Sequence, residues 1–285
     1  MAIKRITLEA NDLVFDALAA GPRSGDLVLL LHGFPQSAEI WRAALRELER
    51  AGYHAVAPNQ RGYSAGAMPP DVAAYRVSEL ADDVRQMADR LGSTRFHVIG
   101  HDWGGTVAWE LGARAPELVG TLTVMSTPHT RALGRALRGA EQRARMAYVP
   151  ALRAPMLGEA MFSVAGGAAA EALLLATGAT REEARRDVGR LRETGATGAL
   201  NWYRAISSDA LGGDGMIAAP VLHIWGDRDI AFGREATEST QQYVTGPYHL
   251  VELTGGTHWI PEQHWEDVAD LVLEHLREHP LSKRA

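Results

Sequence analysis

The order of hydrophobic patterns along this chain predicts an α/β protein, with a mostly parallel, eight-stranded type of sheet, helices on both of its faces and a helical segment inserted late in the alternation. Three observations carry that expectation. Residues 27–31 are aliphatic at every position, as a strand buried on both faces of a parallel sheet is. Strand-like runs alternate with amphipathic helical runs as far as residue 125. The next clear strand then arrives only at Val221, and the residues between are rich in Ala, Arg, Gly and Glu.

In chain order, residues 3–9 and 13–18 alternate polar and apolar side chains and are expected as two strands, with 27–31 as the buried third. The loop His32-Gly33-Phe34-Pro35 follows, then a helix over 41–49 punctuated by Gly52, a strand at 54–57 and a loop over 59–64. Ser78 with Glu79 opens a long amphipathic helix to Leu91, which Gly92 ends. Residues 96–99 form a strand that leads through Gly100-His101-Asp102-Trp103-Gly104-Gly105 into a helical run, and 122–125 form the next strand. Residues 129–215 are expected as an inserted helical cap, in which Thr180-Arg181-Glu182-Glu183 is a capping box that starts a polar helix through Glu193. Helical spacing favours packing of Met146, Leu152, Met156, Leu157, Met161 and Phe162 inside this cap over lining a pocket. Residues 1–128 and 216–285 form the core domain, completed by strands at 221–225 and 249–253 and an amphipathic helix over 265–276; residues 279–285 read as a frayed tail.

A hydrophobic share of 46% fills a sizeable core, and 22% charged residues is ordinary for a soluble chain. A formal charge of -6 gives neither nucleic acid nor an anionic membrane the clustered basic surface it needs, so the expected partner is a small, largely uncharged molecule. Lys4 and Lys283 are the only lysines, an imbalance towards arginine that genome composition accounts for. The absence of cysteine excludes a disulfide framework, a thiolate nucleophile and a Cys-bearing metal site. His223, His249, His264, His275 and His279 lack metal-ligand spacing, so no metal is expected. Residues 1–26 lack the continuous apolar core of a signal peptide, and 27–31 is far too short to span a bilayer, so a cytoplasmic setting is expected. Monomer and homodimer fit the sequence equally.

The chemistry is concentrated at Gly100 to Gly105, which has the shape of a nucleophile elbow with Asp102 where serine usually stands. Glycines flank Asp102 because a sharp strand-to-helix turn leaves no room for neighbouring side chains, and a helix amino terminus favours the ionised carboxylate. A carboxylate attacks a saturated carbon that bears a leaving group and forms an alkyl ester, so the expected electrophile is an epoxide or an alkyl halide. Turnover of that ester needs a base. His258 lies in the glycine-bearing loop after the last strand, with Trp259 beside it. The acid that orients it falls between nucleophile and histidine in such a chain order. Trp225-Gly226-Asp227-Arg228-Asp229 offers two candidates, of which Asp229 is preferred because it lies three residues beyond the glycine, far enough to turn back towards His258; Asp227 is the other. Ester hydrolysis passes through a tetrahedral anion that needs two converging backbone donors, expected from the amides of Trp103 and Phe34.

His32-Gly33-Phe34-Pro35, Arg61-Gly62-Tyr63, Gly100 to Gly105 and Gly256-Thr257-His258-Trp259 together resemble the motifs of the α/β-hydrolase-fold epoxide hydrolases, and the similarity runs over nearly the whole chain. The resemblance implies the α/β-hydrolase fold with a helical cap, and hydrolysis of an epoxide to a vicinal diol through a covalent hydroxyalkyl-aspartate, with water as the second substrate and no cofactor. Leu200-Asn201-Trp202-Tyr203-Arg204 resembles the segment that carries one of the family's two ring-opening tyrosines, which would be Tyr203; Tyr148, Pro155 and Glu159 match the spacing of the stretch that carries the other, which would be Tyr148. Phe34, Trp103, Trp202 and Trp259 are the side chains expected to touch substrate. Haloalkane dehalogenases share the aspartate elbow and its tryptophan but typically carry asparagine where this chain has Phe34, and fluoroacetate dehalogenases put arginines after the nucleophile, where Trp103 and Val107 do not fit. Tyr63-Ser64-Ala65-Gly66 also departs from the commoner epoxide-hydrolase pattern of Tyr-Gly followed by a serine. Hydrolysis of a carbon–halogen bond is the alternative expectation, and a non-catalytic ligand-binding role, as in some α/β-hydrolase folds, the last.

Overall fold

The computed structural model describes residues 2–206 and 215–281. Its sheet is built from β1 (Lys4–Ala10), β2 (Leu13–Ala20), β3 (Leu27–Leu31), β4 (His54–Pro58), β5 (Phe96–His101), β6 (Val119–Met125), β7 (Val221–Gly226) and β8 (Tyr248–Leu253). They lie in the order β1-β2-β4-β3-β5-β6-β7-β8, with β2 antiparallel to β1 and β4 and every other pairing parallel. The α/β class expected from the sequence is the one observed.

The period-two geometry of β3 shows how the sheet is covered. Leu27, Leu29 and Leu31 enter a core shared with α2 (Val77–Arg90) and α3 (Trp103–Arg114), through Leu80, Val84 and Trp109. Val28 and Leu30 enter the opposite core, filled by Leu45 and Leu48 of α1 (Arg42–Arg50) and by residues of the final helix, such as Val268 and Val272. Strand β6 begins earlier than expected, at Val119; Thr121 and Thr123 interrupt the apolar run in sequence, yet both are fully buried.

Between β6 and β7 the chain forms α4 (Thr130–Ala136), α5 (Ala140–Arg145), α6 (Val149–Arg153), α7 (Leu157–Ser163), α8 (Ala168–Ala176), α9 (Arg181–Thr194) and α10 (Thr197–Ala205). The end of this insertion, 207–214, lies outside the described residues. The capping box forms as expected: the Glu183 amide donates to Thr180 Oγ1 at 3.3 Å, and the Thr180 amide to Glu183 Oε2 at 2.7 Å. The stretch Leu157–Ala176 is apolar and long enough to cross a membrane by composition, but Ala165, Gly166 and Gly167, all at positive φ, break it into two short helices. Of the apolar residues assigned to the insertion's interior, Leu152 and Phe162 are buried whereas Met156 and Leu157 are exposed.

The last elements are α11 (Arg234–Ser239), α12 (Ile260–Gln263) and α13 (Trp265–Glu278). The tail is not frayed as far as it is described: the Leu281 amide donates to Asp26 Oδ2 at 3.3 Å, and its side chain sits on Gly120. Residues 282–285 of the expected tail lie outside the described residues.

Candidate active site

Strand β5 stops at His101 and α3 starts at Trp103, so Asp102 turns the chain alone, at φ 51°. That is the left-handed region, strained for a residue with a Cβ. Two glycines are required by close approach. A Cβ on Gly104 would lie 2.1 Å from the Leu31 carbonyl oxygen, and one on Gly33 would lie 2.3 Å from Asp102 Cβ. The turn is fixed by its own carbonyl, which accepts from the Thr106 amide at 3.1 Å and from Thr127 Oγ1 at 2.8 Å. The Phe34 amide donates to Asp102 Oδ1 at 2.8 Å, across a loop that contains the cis Phe34–Pro35 peptide. Trp103, the second expected backbone donor, opens α3, where amides have no partner within the helix.

His258 is brought to Asp102 and to Asp229. Its Nδ1 lies 2.9 Å from Asp229 Oδ2, and its Nε2 lies 3.6 Å from Asp102 Oδ2, an ion-pair separation longer than a hydrogen bond. The other Asp229 oxygen accepts from the amides of Ala231 and Phe232 at 2.7 and 3.0 Å, which fixes the carboxylate. Asp227, the alternative acid, is exposed and accepts from the Gly255 amide at 2.7 Å, bracing the loop ahead of His258.

Burial alone would push the Asp102 carboxyl up, but the neighbouring His258 imidazolium and the Phe34 amide together hold it below the usual carboxylate value. Burial works against the His258 imidazolium too, and here the Asp229 charge and the Asp102 carboxylate outweigh it and raise the group to about 10. Burial and the charges of Asp102 and Asp229 push the Tyr148 phenol up. Burial, with Tyr148 and Asp102, does the same for Tyr203. Both phenols therefore stay protonated, the form that donates.

Asp102, Trp103, Tyr148 and Tyr203 share the wall of one cavity of about 380 Å³, otherwise mainly apolar, with Leu133, Met146 and Phe232 among its lining. The insertion brings both tyrosines over the carboxylate. Glu159, chosen with Tyr148 by spacing, forms a two-pronged pair with Arg204 at 2.8 Å on each prong and so braces the helix that carries Tyr203.

Trp202 and Trp259 are not on that wall, which corrects their expected substrate contact. Trp202 Nε1 donates to the Arg61 carbonyl at 2.7 Å and Trp259 Nε1 to the Thr177 carbonyl at 3.1 Å, so each indole joins insertion to core. The Phe34 ring also stays off the cavity wall, edge-on to Tyr203 and Phe162.

Sequence reasoning missed a supporting group around the His258 backbone. The His258 carbonyl accepts from Ser126 Oγ at 2.8 Å and lies 2.8 Å from His101 Nε2. His101 Nδ1 lies 3.0 Å from Gln36 Oε1, and Gln36 Nε2 donates to Glu262 Oε2 at 2.9 Å. Burial pushes His101 down to about 4. The available signal was positional: Ser126 and Thr127 directly follow β6, and His101 directly precedes the elbow aspartate.

The alpha/beta hydrolase fold family model matches residues 26–264, and the chain belongs to that family. Within it, the chain stands with the epoxide hydrolases. It is 32% identical to Epoxide hydrolase 4 of Mus musculus over 284 residues, covering 96% of this chain and 79% of the relative. It is 29% identical to Epoxide hydrolase A of Mycobacterium tuberculosis over 94% of this chain and 96% of that one. The crystal structure of Epoxide Hydrolase A from Mycobacterium thermoresistibile superposes with a TM-score of 0.85 at 26% identity, covering 99% of this chain and all of that one.

Proposed function

We propose that this protein hydrolyses an epoxide to a vicinal diol through an ester on Asp102. The observation that carries the reading is one apolar cavity with an ionised carboxylate and two protonated phenols on its wall. Similarity to proteins named as epoxide hydrolases supports it.

An Asp102 oxygen bonds to an epoxide carbon as the carbon–oxygen bond of the ring breaks, and Tyr148 and Tyr203 stabilise the departing oxygen while one phenol gives it a proton. Asp102, now an ester, has lost the charge that helped hold a proton on His258, so the imidazolium gives that proton to bulk water, which returns it once the carboxylate is restored, and the neutral imidazole acts as a base. Oriented by Asp229, it takes a proton from water, and the hydroxide adds to the Asp102 carboxyl carbon. The amides of Phe34 and Trp103 hold the resulting anion. Collapse expels the diol oxygen, which takes the proton from His258, and the proton left on the regenerated carboxyl returns to the phenolate.

Single turnover in heavy-oxygen water tests the route by peptide mass analysis. Label is expected first in the Asp102 peptide, and its appearance directly in the diol instead would refute the ester. His258→Gln treated with epoxide is expected to hold a stable adduct on the same peptide.

A further inference from the structure

The cavity carries one acid and two bases. Asp102 is buried at its floor, and Arg143 and Arg153 are exposed at its rim; no other charged residue lines it among those described. Neither guanidinium has a carboxylate partner among the described residues. Arg143 Nη1 donates to the carbonyls of Leu137 and Arg138 at 3.2 and 2.5 Å, and Arg153 Nη2 reaches the Ile206 carbonyl at 3.4 Å. The remaining donors of each fork make no hydrogen bond to a described residue.

This is not for want of acids in the insertion. Glu141 pairs with Arg145 at 3.0 Å, Glu159 with Arg204 at 2.8 Å and Asp187 with Arg186 at 2.8 Å; Arg143 and Arg153, like Arg131, Arg135 and Arg138, have no carboxylate partner among the described residues, and are set apart from those three by lining the cavity. The local sequence has the same bias: residues 130–153 contain Arg131, Arg135, Arg138, Arg143, Arg145 and Arg153 against the single acid Glu141, in a chain of net charge -6. Arginine's planar fork suits carboxylate and phosphate oxygens.

We propose that Arg143 and Arg153 form an anion subsite, and that the substrate is an epoxide whose apolar body ends in an anionic head group, a carboxylate or a phosphate ester. The apolar wall takes the body, the rim takes the head group, and the epoxide reaches Asp102. This assignment rests on the hydrolase reading above and replaces the largely uncharged ligand that composition favoured.

The test compares terminal epoxides on one alkyl chain that end in a carboxylate, a phosphate monoester or a methyl ester, by kcat/KM. Calorimetry beside it measures binding of the matching saturated carboxylate and alcohol, which lack the epoxide. Two rim-exposed pairs predict that the wild type binds the carboxylate about fivefold to tenfold more tightly than the alcohol. Salt is expected to shrink that advantage. Arg143→Gln with Arg153→Gln abolishes it, Arg143→Lys with Arg153→Lys retains it in part, and in turnover it falls on KM. Whichever charged epoxide is preferred identifies the head group. Equal binding of carboxylate and alcohol, or a preference that survives the double glutamine substitution, overturns the proposal. Selective binding of the carboxylate without turnover of any epoxide would sink the hydrolase reading and leave the anion subsite standing; turnover of the methyl ester as fast as the charged epoxides would do the reverse.

Discussion

Tyr148 and Tyr203 are held as protonated phenols beside a carboxylate that is held ionised, and that contrast of protonation states separates two chemistries. Opening an epoxide leaves an alkoxide that needs a donor; displacing a halide does not. Tyr148→Phe and Tyr203→Phe are each expected to lower kcat/KM for an epoxide about 100-fold. An alkyl bromide of the same skeleton, if turned over at all, should respond little. An equal loss on both substrates would argue against phenol donation. His258 gives a second prediction. Its imidazolium is raised in the folded state to about 10 from an ordinary 6.5, so folding takes up a proton. The associated stabilisation is therefore complete below pH 6.5 and is lost as pH rises towards 10. Asp229→Asn removes the larger of the two attractive charges and should flatten that decline by about half or more, read as urea midpoints at pH 6, 8 and 10. An unchanged decline would show that Asp229 does not hold the proton. At this scale the sequence revealed groups that react through side chains: Asp102 by its glycines, His258 and Asp229 by chain order. It concealed Ser126, His101 and Gln36, which bear on the site through the His258 backbone carbonyl, because a contact to a carbonyl leaves no residue-type pattern.

The sheet was readable because most of its parallel strands are short apolar runs bounded by polar loops, with β6 misjudged only at its start, where Gly120 and Thr121 interrupt the run. The insertion was less readable. Its helices α5, α6 and α7 span only five to seven residues, too few for a 3.6-residue period to emerge, whereas α9 announced itself through its cap. That longer helix is also the one tied to the catalytic frame. Arg186 on α9 pairs with Glu262 on α12, and Glu262 accepts from Gln36, which faces His101. Glu262→Gln keeps the shape and removes the charge. The bridge is only partly shielded, with Arg186 35% and Glu262 12% exposed, so the expected cost is about 1–2 kcal/mol, below that of a fully buried pair. Urea unfolding measures it, and amide exchange should accelerate along α9 before it does in β5. Unchanged stability and exchange would mean that the pair is incidental to how the insertion is seated.

Across the whole molecule, the insertion and the loop that follows β4 meet backbone to backbone. A Cβ on Gly198, in α10, would lie 2.7 Å from Gly62 Cα, and a Cβ on Gly62 would lie 2.6 Å from the Gly198 carbonyl. The indole of Trp202 closes the same seam from above by donating to Arg61. Gly198→Ala sets two effects against each other. Within a helix, alanine is favoured over glycine by about 1 kcal/mol, so an unpacked α10 would gain stability. The seam offers no flexible side chain to move aside, because the contact at Gly62 is main chain held at φ 87°. Overpacking of this kind costs about 1–3 kcal/mol, enough to cancel or exceed the helical gain. The expected result is a lowered midpoint in urea. Tyr203 lies five residues further along α10, on the cavity wall, so displacement of the helix should also move the phenol and lower epoxide turnover. A stability gain with full activity would show that the insertion rests loosely on the core. Loss of both together would identify the Gly62–Gly198 approach as the contact that sets the height of the tyrosines above Asp102.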